Sequence, residues 1–352
     1  MTRQKQPAEQ PLFTAAGFYM LRAPALPAHI FTQISAAGYI SPESAQEKLD
    51  ATLHAQQENC SRLLQELASQ PQIIQALAVA SPSLLDGVER FQHGKSSPAQ
   101  LKRVSASLLR YLIRMSTRPT PFGLFSGVAS GTFAQETQAY LASPTIARFR
   151  TRPDMSWLLA ALQKIEGDKS LVAQLRVRLN QTAYLVGERA VLPFADTYGD
   201  RDTRAISLRA TAVVRTVFDL AQQFIPYTEL QSALQQACSR ASTEQIERAL
   251  WQLWEHHFLI SELHPPLTNA RPTDYVREYL DVLQGVEAIK AQLTHILAGA
   301  SVLDCAGVGA PINLLSTLVQ HQGELIPGKD KNTLPLQVDA ALHLQSPELH
   351  QA

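Results

Sequence analysis

The stretch 108–131, LLRYLIRMSTRPTPFGLFSGVASG, constrains the fold more than any other part of the chain. Upstream, Ser96-Ser97-Pro98 supplies a helix start, with a serine as cap and proline in the first turn. That helix can run to about Ser116, because Pro119 and Pro121 forbid its continuation. Glycines then punctuate a β-prone run over 122–133. A helix, a rigid turn and a strand must therefore succeed one another here. Arg110, Arg114 and Arg118 recur every four residues, which on a continuous helix stacks three guanidinium groups along one face. No Asp or Glu lies between Glu89 and Glu136, whereas Arg90, Lys95, Lys102, Arg103 and the three spaced arginines do. Like charges at this spacing repel by about 0.2–0.5 kcal/mol per pair. A bound anion relieves that repulsion, and the guanidinium fork suits carboxylate or phosphate. The bland alternative is a solvated basic face, or arginines paired with distant acids. Pro119-Thr120-Pro121-Phe122-Gly123 either holds Thr120 and Arg118 in a fixed relation, as a pre-organised site requires, or simply ends a helix.

The chain has 352 residues, enough for roughly two domains with full cores at about 150 residues each. Lys+Arg and Asp+Glu balance at 31 each, which excludes a wholly basic nucleic-acid binder and leaves only a local patch for such contact. Apolar residues at 45% and charged residues at 18% exclude global disorder. Cys60, Cys238 and Cys305 are far apart, odd in number and outside any CxxC spacing, which fits a reducing, cytoplasmic setting without a disulfide framework or structural zinc. No run of 18 apolar residues is present to span a membrane. The start faintly resembles a secretory signal, but Glu9, Arg22, Pro24 and Pro27 spoil it. It reads better as a polar tail through residue 11 and a buried strand at 18–21.

Periodicity predicts an α+β fold of mixed helices and small antiparallel sheets. Residues 42–80 read as amphipathic helices broken at Ser81-Pro82-Ser83, and 157–165 and 169–175 as short helices. From 180 to 262 the rhythm changes. Residues 183–194 read as a hairpin turning at Gly187-Glu188, 205–209 as a third strand, and 212–224, 228–237 and 243–257 as helices, the last capped by Thr243. This combination suggests an embedded winged helix-turn-helix-like module. The expected division is 1–179, 180–262 and 263–352, with a Pro-rich connector at 262–270 and a helix over 275–297. Residues 301–303 read as an apolar strand before Gly307-Val308-Gly309, but a dinucleotide fingerprint would need a third glycine where Ile312 stands. Ser126 and Ser130 are not in a GxSxG elbow, and His256, His257 and His264 lack metal-ligand spacing. Between residues 212 and 258, three arginines oppose five acids, so a DNA-reading role is disfavoured and capture of an extended peptide along a sheet edge is preferred.

The run Arg114-x-x-x-Arg118-Pro119-Thr120-Pro121-Phe122-Gly123-Leu124-Phe125-x-Gly127 resembles the signature of lantibiotic dehydratases, in their amino-terminal glutamylating region. Tyr19-Met20-Leu21-Arg22-Ala23-Pro24 is similar to that family's opening strand, and Arg152-Pro153-Asp154-Met155-Ser156-Trp157 to its acidic motif. Arg178-Leu179-Asn180 with Tyr184, and the segment from Leu259 to Pro266, fall in line with later motifs. The resemblance covers about 18–280. It implies transfer of glutamate from glutamyl-tRNA, a co-substrate with no further cofactor, to Ser and Thr of a ribosomal precursor peptide, followed by elimination. It implies a catalytic set of Arg114, Arg118, Thr120 and Asp154, with Arg22, Arg110, Arg103 and Lys102 binding tRNA. It implies that 180–262 recognises the leader peptide, expected to be net basic or neutral because 243–257 carries Glu244, Glu247 and Glu255. Some family members carry a second basic residue where this chain has Thr117. Relatives extend further, so a separate chain that completes the dehydratase or supplies elimination is a further expected partner. The competing expectation is a non-catalytic module that binds leader peptide and tRNA.

Overall fold

The computed structural model describes residues 13, 16–39, 49–199, 204–327 and 334–350. The helix signalled by Ser97 is Pro98–Thr117 (α5). Ser97 accepts from the Gln100 N–H and the Gln100 side chain answers the Ser97 N–H, a complete capping box. Its apolar stripe, Val104, Leu108, Leu112 and Met115, is buried. Before it come β1 (Phe18–Pro24), α1 (Ala28–Ala37), α2 (Leu49–Ala68), α3 (Pro71–Ala80) and α4 (Pro82–Gln92). The break expected at Ser81-Pro82-Ser83 is there: α3 ends at Ala80, Ser81 lies between the helices, and Pro82 is the first-turn proline of α4, where its missing N–H costs nothing. β1 is an edge strand, and Phe18 and Met20 are exposed rather than buried.

After a 3₁₀ turn at Gly123–Phe125 come β2 (Ser126–Ala134) and β3 (Gln138–Pro153). The last strand, β10 (Leu336–His350), joins them in a four-stranded sheet of order β1-β2-β10-β3. β1 runs antiparallel to β2 and β10 parallel to it, so this sheet is mixed rather than wholly antiparallel. Gly127 makes the β2–β10 approach possible. A Cβ there would lie 2.9 Å from Leu342 Cδ2 and 3.1 Å from the Ala340 carbonyl oxygen. Gly127→Ala is expected to destabilise the protein by about 1–3 kcal/mol through overpacking, read as a lowered Tm in thermal unfolding.

The remaining elements are α6 (Met155–Glu166), α7 (Lys169–Val172), β4 (Arg176–Leu179), β5 (Tyr184–Val186), β6 (Arg189–Leu192), β7 (Ile206–Arg209), α8 (Ala212–Leu220), β8 (Ile225–Pro226), α9 (Tyr227–Ala237), α10 (Thr243–Glu255), β9 (Leu259–Ser261), α11 (Pro272–Leu280), α12 (Glu287–Ala306) and α13 (Ile312–Leu325). The hairpin turns where expected, with Gly187 at φ +55°. Ser242, not Thr243, caps α10. The helix expected over 275–297 is two helices, because Gly285 adopts φ +85° between them. Residues 301–303 continue α12 and are not a strand; a short apolar run carries no period to tell the two apart.

Two compact units result, one drawn from residues 1–151, 301–315 and 338–352, the other from 152–300 and 316–337. In the second, helices α8, α9 and α10 pack with sheets β8-β4-β9 and β5-β6-β7 around Val177, Leu192, Val217, Leu230, Ile246 and Phe258. The sheet between β8 and β9 thus draws on β4, which precedes residue 180. The three cysteines are free. No helix among the described residues is long and apolar enough to cross a membrane.

Candidate functional site

The arginine series does not form one continuous ladder. The residue before a proline is pushed out of the helical region, and Arg118 accordingly caps α5 in an extended conformation, φ −106° and ψ 119°. Its N–H still donates to the Arg114 carbonyl at 3.0 Å. Arg110 folds back along its own helix, with Nε donating to the Ala106 carbonyl at 3.2 Å and Nη2 to Ser107 Oγ at 3.1 Å. Arg114 is the half-buried member. Its guanidinium lies 4.5 Å from the centre of the Phe122 ring, and its Nε is buried without a hydrogen-bond partner. Phe122 in turn packs on Phe125, with ring centres 5.5 Å apart, and Tyr111 meets Phe125 edge-on at 5.1 Å. The turn thus gives Arg114 an aromatic platform worth about 0.5–2 kcal/mol. An orphaned buried donor costs about 1–3 kcal/mol, which an anion on the same guanidinium would offset.

Thr120 is fixed by its backbone, whose carbonyl accepts from Ser126 Oγ at 2.5 Å. Gly123 is left-handed at φ +52°, which closes the turn. Ser126 pairs with Pro24 across the sheet, and Arg22 sits two residues along β1, opposite Val128. The Leu26 N–H docks on the Met115 carbonyl at 2.8 Å and the Ala25 N–H on the Phe125 carbonyl at 2.9 Å. Arg114, Arg118 and Thr120 therefore share one corner of the first unit, where β1 meets the end of α5, whereas Arg22 lies further along β1, its Nη2 3.9 Å from Met20 Sδ. Arg103 lies on the same face as Arg110 but two turns, about 10 Å, further from that corner, and Lys102 about 100° round the helix. Among the described residues, none of these six cations forms an ion pair with a carboxylate.

Asp154 belongs to the second unit. It caps α6, accepting from the Ser156 N–H at 2.9 Å and Ser156 Oγ at 2.5 Å. Its other oxygen accepts from Gln337 Nε2 at 2.8 Å, and Gln337 Oε1 accepts from Arg152 at 2.9 Å. Gln337 was missed from the sequence, since nothing local marks a partner 183 residues away.

A second feature of that unit is an open groove of about 650 Å³, lined by Asp196, Tyr198, Ile206, Ser207, Glu255 and His257 among others. It runs between β7, an edge strand, and the end of α10. One wall hangs on Glu166, a buried carboxylate that accepts from Tyr198 at 2.5 Å, from Ser261 Oγ and from His264 at 3.2 Å. Burial and the adjacent Glu166 push the Tyr198 hydroxyl far above the usual phenol range, so it stays a donor. Burial pulls the His257 ring down, which keeps it neutral near neutral pH. Among the described residues no group of three or more His, Cys, Asp or Glu could hold a metal.

The family "Lantibiotic dehydratase, N terminus" matches residues 69–352. The chain belongs to this family. Among curated relatives, the subtilin biosynthesis protein SpaB of Bacillus subtilis is 24% identical over 287 residues, covering 81% of this chain and 27% of SpaB. The nisin biosynthesis protein NisB of Lactococcus lactis subsp. lactis is 22% identical over 253 residues, covering 69% and 25%. The chain therefore spans about a quarter of the length of these relatives. Among solved structures, the tRNA-dependent lantibiotic dehydratase MibB from Microbispora sp. 107891 matches with a TM-score of 0.72 and 26% identity, over 95% of this chain and 29% of MibB. The glutamylation domain TbtB from thiomuracin biosynthesis shares the fold, with a TM-score of 0.56 and 19% identity over 87% of this chain and 39% of that one.

Proposed function

We propose that this chain binds glutamyl-tRNA at the basic corner and transfers glutamate to Ser and Thr of a ribosomal precursor peptide whose leader lies along β7. The observation that carries the reading is Arg114, stacked on Phe122 with a buried donor unused, in the corner that also holds Arg118 and Thr120. The name of MibB, a tRNA-dependent dehydratase, supports the substrate, and the TbtB title supports the glutamylation step. In the reaction the peptide hydroxyl oxygen bonds to the ester carbonyl carbon of glutamyl-tRNA. The ester C–O bond then breaks, and the tRNA 3′ or 2′ oxygen leaves and takes up the proton. Negative charge gathers on the carbonyl oxygen during attack, and fixed cationic donors stabilise it. Arg114 and Arg118 hold phosphate or the glutamate carboxylate, Thr120 hydrogen-bonds the tRNA terminus, and Arg22, with Arg110, Arg103 and Lys102 further along α5, attracts the RNA backbone. Asp154 acts through Gln337 to orient Arg152.

The groove supports the second half of the proposal. β7 is an edge strand beside a walled channel, with the Ser207 N–H turned away from β6, an arrangement that can take up an extended peptide as an added strand. The binding step is tested by comparing glutamyl-tRNA with the same tRNA deacylated. The acylated form is expected to bind about tenfold tighter, with affinity falling as salt rises. Equal, salt-insensitive affinities would overturn the reading.

A further inference from the structure

We propose that Gln322, buried in the second unit, is a positioning residue that holds the Arg152–Gln337–Asp154 chain in the geometry that glutamyl transfer requires. This rests on the transfer reading above and adds to it a residue of α13 with no place in any sequence motif.

α13 buries Leu315, Leu318 and Leu325. Position 322 lies four residues after Leu318 and three before Leu325, so it falls on the same stripe. An apolar side chain is expected there. The chain has a glutamine instead, with none of its surface exposed. Glutamine is mostly an exposed residue, and burying its amide is unfavourable unless the polar atoms are bonded.

One end of the amide is bonded. Gln322 Nε2 donates to the Pro335 carbonyl at 2.7 Å. The same carbonyl accepts from the Asp154 N–H at 2.9 Å, so both of its lone pairs are taken. The Gln322 backbone carbonyl accepts from Trp157 Nε1 at 3.1 Å. A single residue of α13 thus meets both ends of the 154–157 turn, the indole directly and the Asp154 N–H through Pro335. Pro335 stands just before β10, two residues ahead of Gln337. Gln322 therefore also sets where β10 delivers Gln337. Asp154 Oδ1 is committed to Ser156, which leaves Oδ2 for Gln337 Nε2 at 2.8 Å, and Gln337 Oε1 accepts from Arg152 at 2.9 Å.

The other end of the amide separates positioning from packing. Gln322 Oε1 is buried and has no partner among the described residues. A buried acceptor left unpaired lowers stability. Methionine has a similar length, would fill the same space and would remove that acceptor. It would leave the Pro335 carbonyl bonded to Asp154. Stability alone favours methionine at 322, and what glutamine adds is the bond to Pro335. Displacing a catalytic group by about 1 Å costs about a hundredfold in rate, so a fixed Pro335 matters to the chemistry more than to the fold.

The test compares wild type, Gln322→Met, Asp154→Asn and the double variant, all as the full chain. Gln322→Met is expected to match or exceed the wild-type Tm. Hydrogen–deuterium exchange read by mass spectrometry should be about two- to tenfold faster over 152–157. Transfer of labelled glutamate to a precursor peptide should slow about 10- to 100-fold at saturating substrates, with KM for glutamyl-tRNA and peptide unchanged. Asp154→Asn keeps an oxygen for Ser156 and alters the group that meets Gln337. Because Gln322 acts through Asp154, the double variant should be no slower than Asp154→Asn alone. Wild-type transfer or wild-type exchange in Gln322→Met overturns the inference and leaves the transfer reading standing. So does a rate loss that accompanies a lowered Tm, or one that adds in full to that of Asp154→Asn. A wild-type chain that transfers no glutamate overturns the transfer reading and the inference with it.

Discussion

Arg114→Ala is expected to weaken glutamyl-tRNA binding by about 10- to 150-fold in a filter-binding assay, with native circular dichroism. A charge-assisted hydrogen bond contributes about 1.5–3 kcal/mol, which sets that range. Arg114 has the most to lose because its guanidinium is already oriented over Phe122 before any ligand arrives. Arg118→Ala should cost about tenfold or more, because its extended backbone puts the side chain at the turn itself. Phe122→Leu keeps both charges and removes the platform, so a smaller loss is expected there. An Arg114→Ala variant that retains wild-type affinity would remove this corner from the tRNA site.

Ser207→Pro is expected to abolish peptide binding and leave glutamyl-tRNA binding unchanged. The Ser207 N–H faces the free edge of β7, so proline there spares the ladder to β6 and removes the donor that an added strand needs. The ring also obstructs the approach of that strand. A net backbone hydrogen bond contributes about 0.5–1.5 kcal/mol, and with the obstruction a loss of at least about tenfold in titration calorimetry is expected. Peptide affinity unchanged by the substitution would mean that the leader docks elsewhere.

Much of this geometry is legible in the sequence, and unevenly so. α5 is legible because a serine cap, a first-turn proline and a double-proline stop all act within a few residues of its ends. Arg118 leaving the helix was legible too, since it precedes Pro119, but four-residue spacing drew it onto the ladder instead. The break between α11 and α12 was not read, since the expected helix over 275–297 ran through Gly285, whose freedom at positive φ is the local signal for it. Other features depend on pairing that no local pattern encodes. The Asp154–Gln337 bond joins positions far apart in the chain, and the exposure of Phe18 and Met20 follows from β1 lying at a sheet edge.

The most direct test of the account is transfer of labelled glutamate from glutamyl-tRNA to a precursor peptide, followed by mass spectrometry of the peptide. Wild-type chain should place a glutamyl ester on a Ser or Thr side chain, while the Arg114→Ala/Arg118→Ala double variant, still bound to peptide, should transfer at least about a hundredfold more slowly. Transfer by the double variant at the wild-type rate, or a wild-type chain that binds both substrates and transfers nothing, would contradict it.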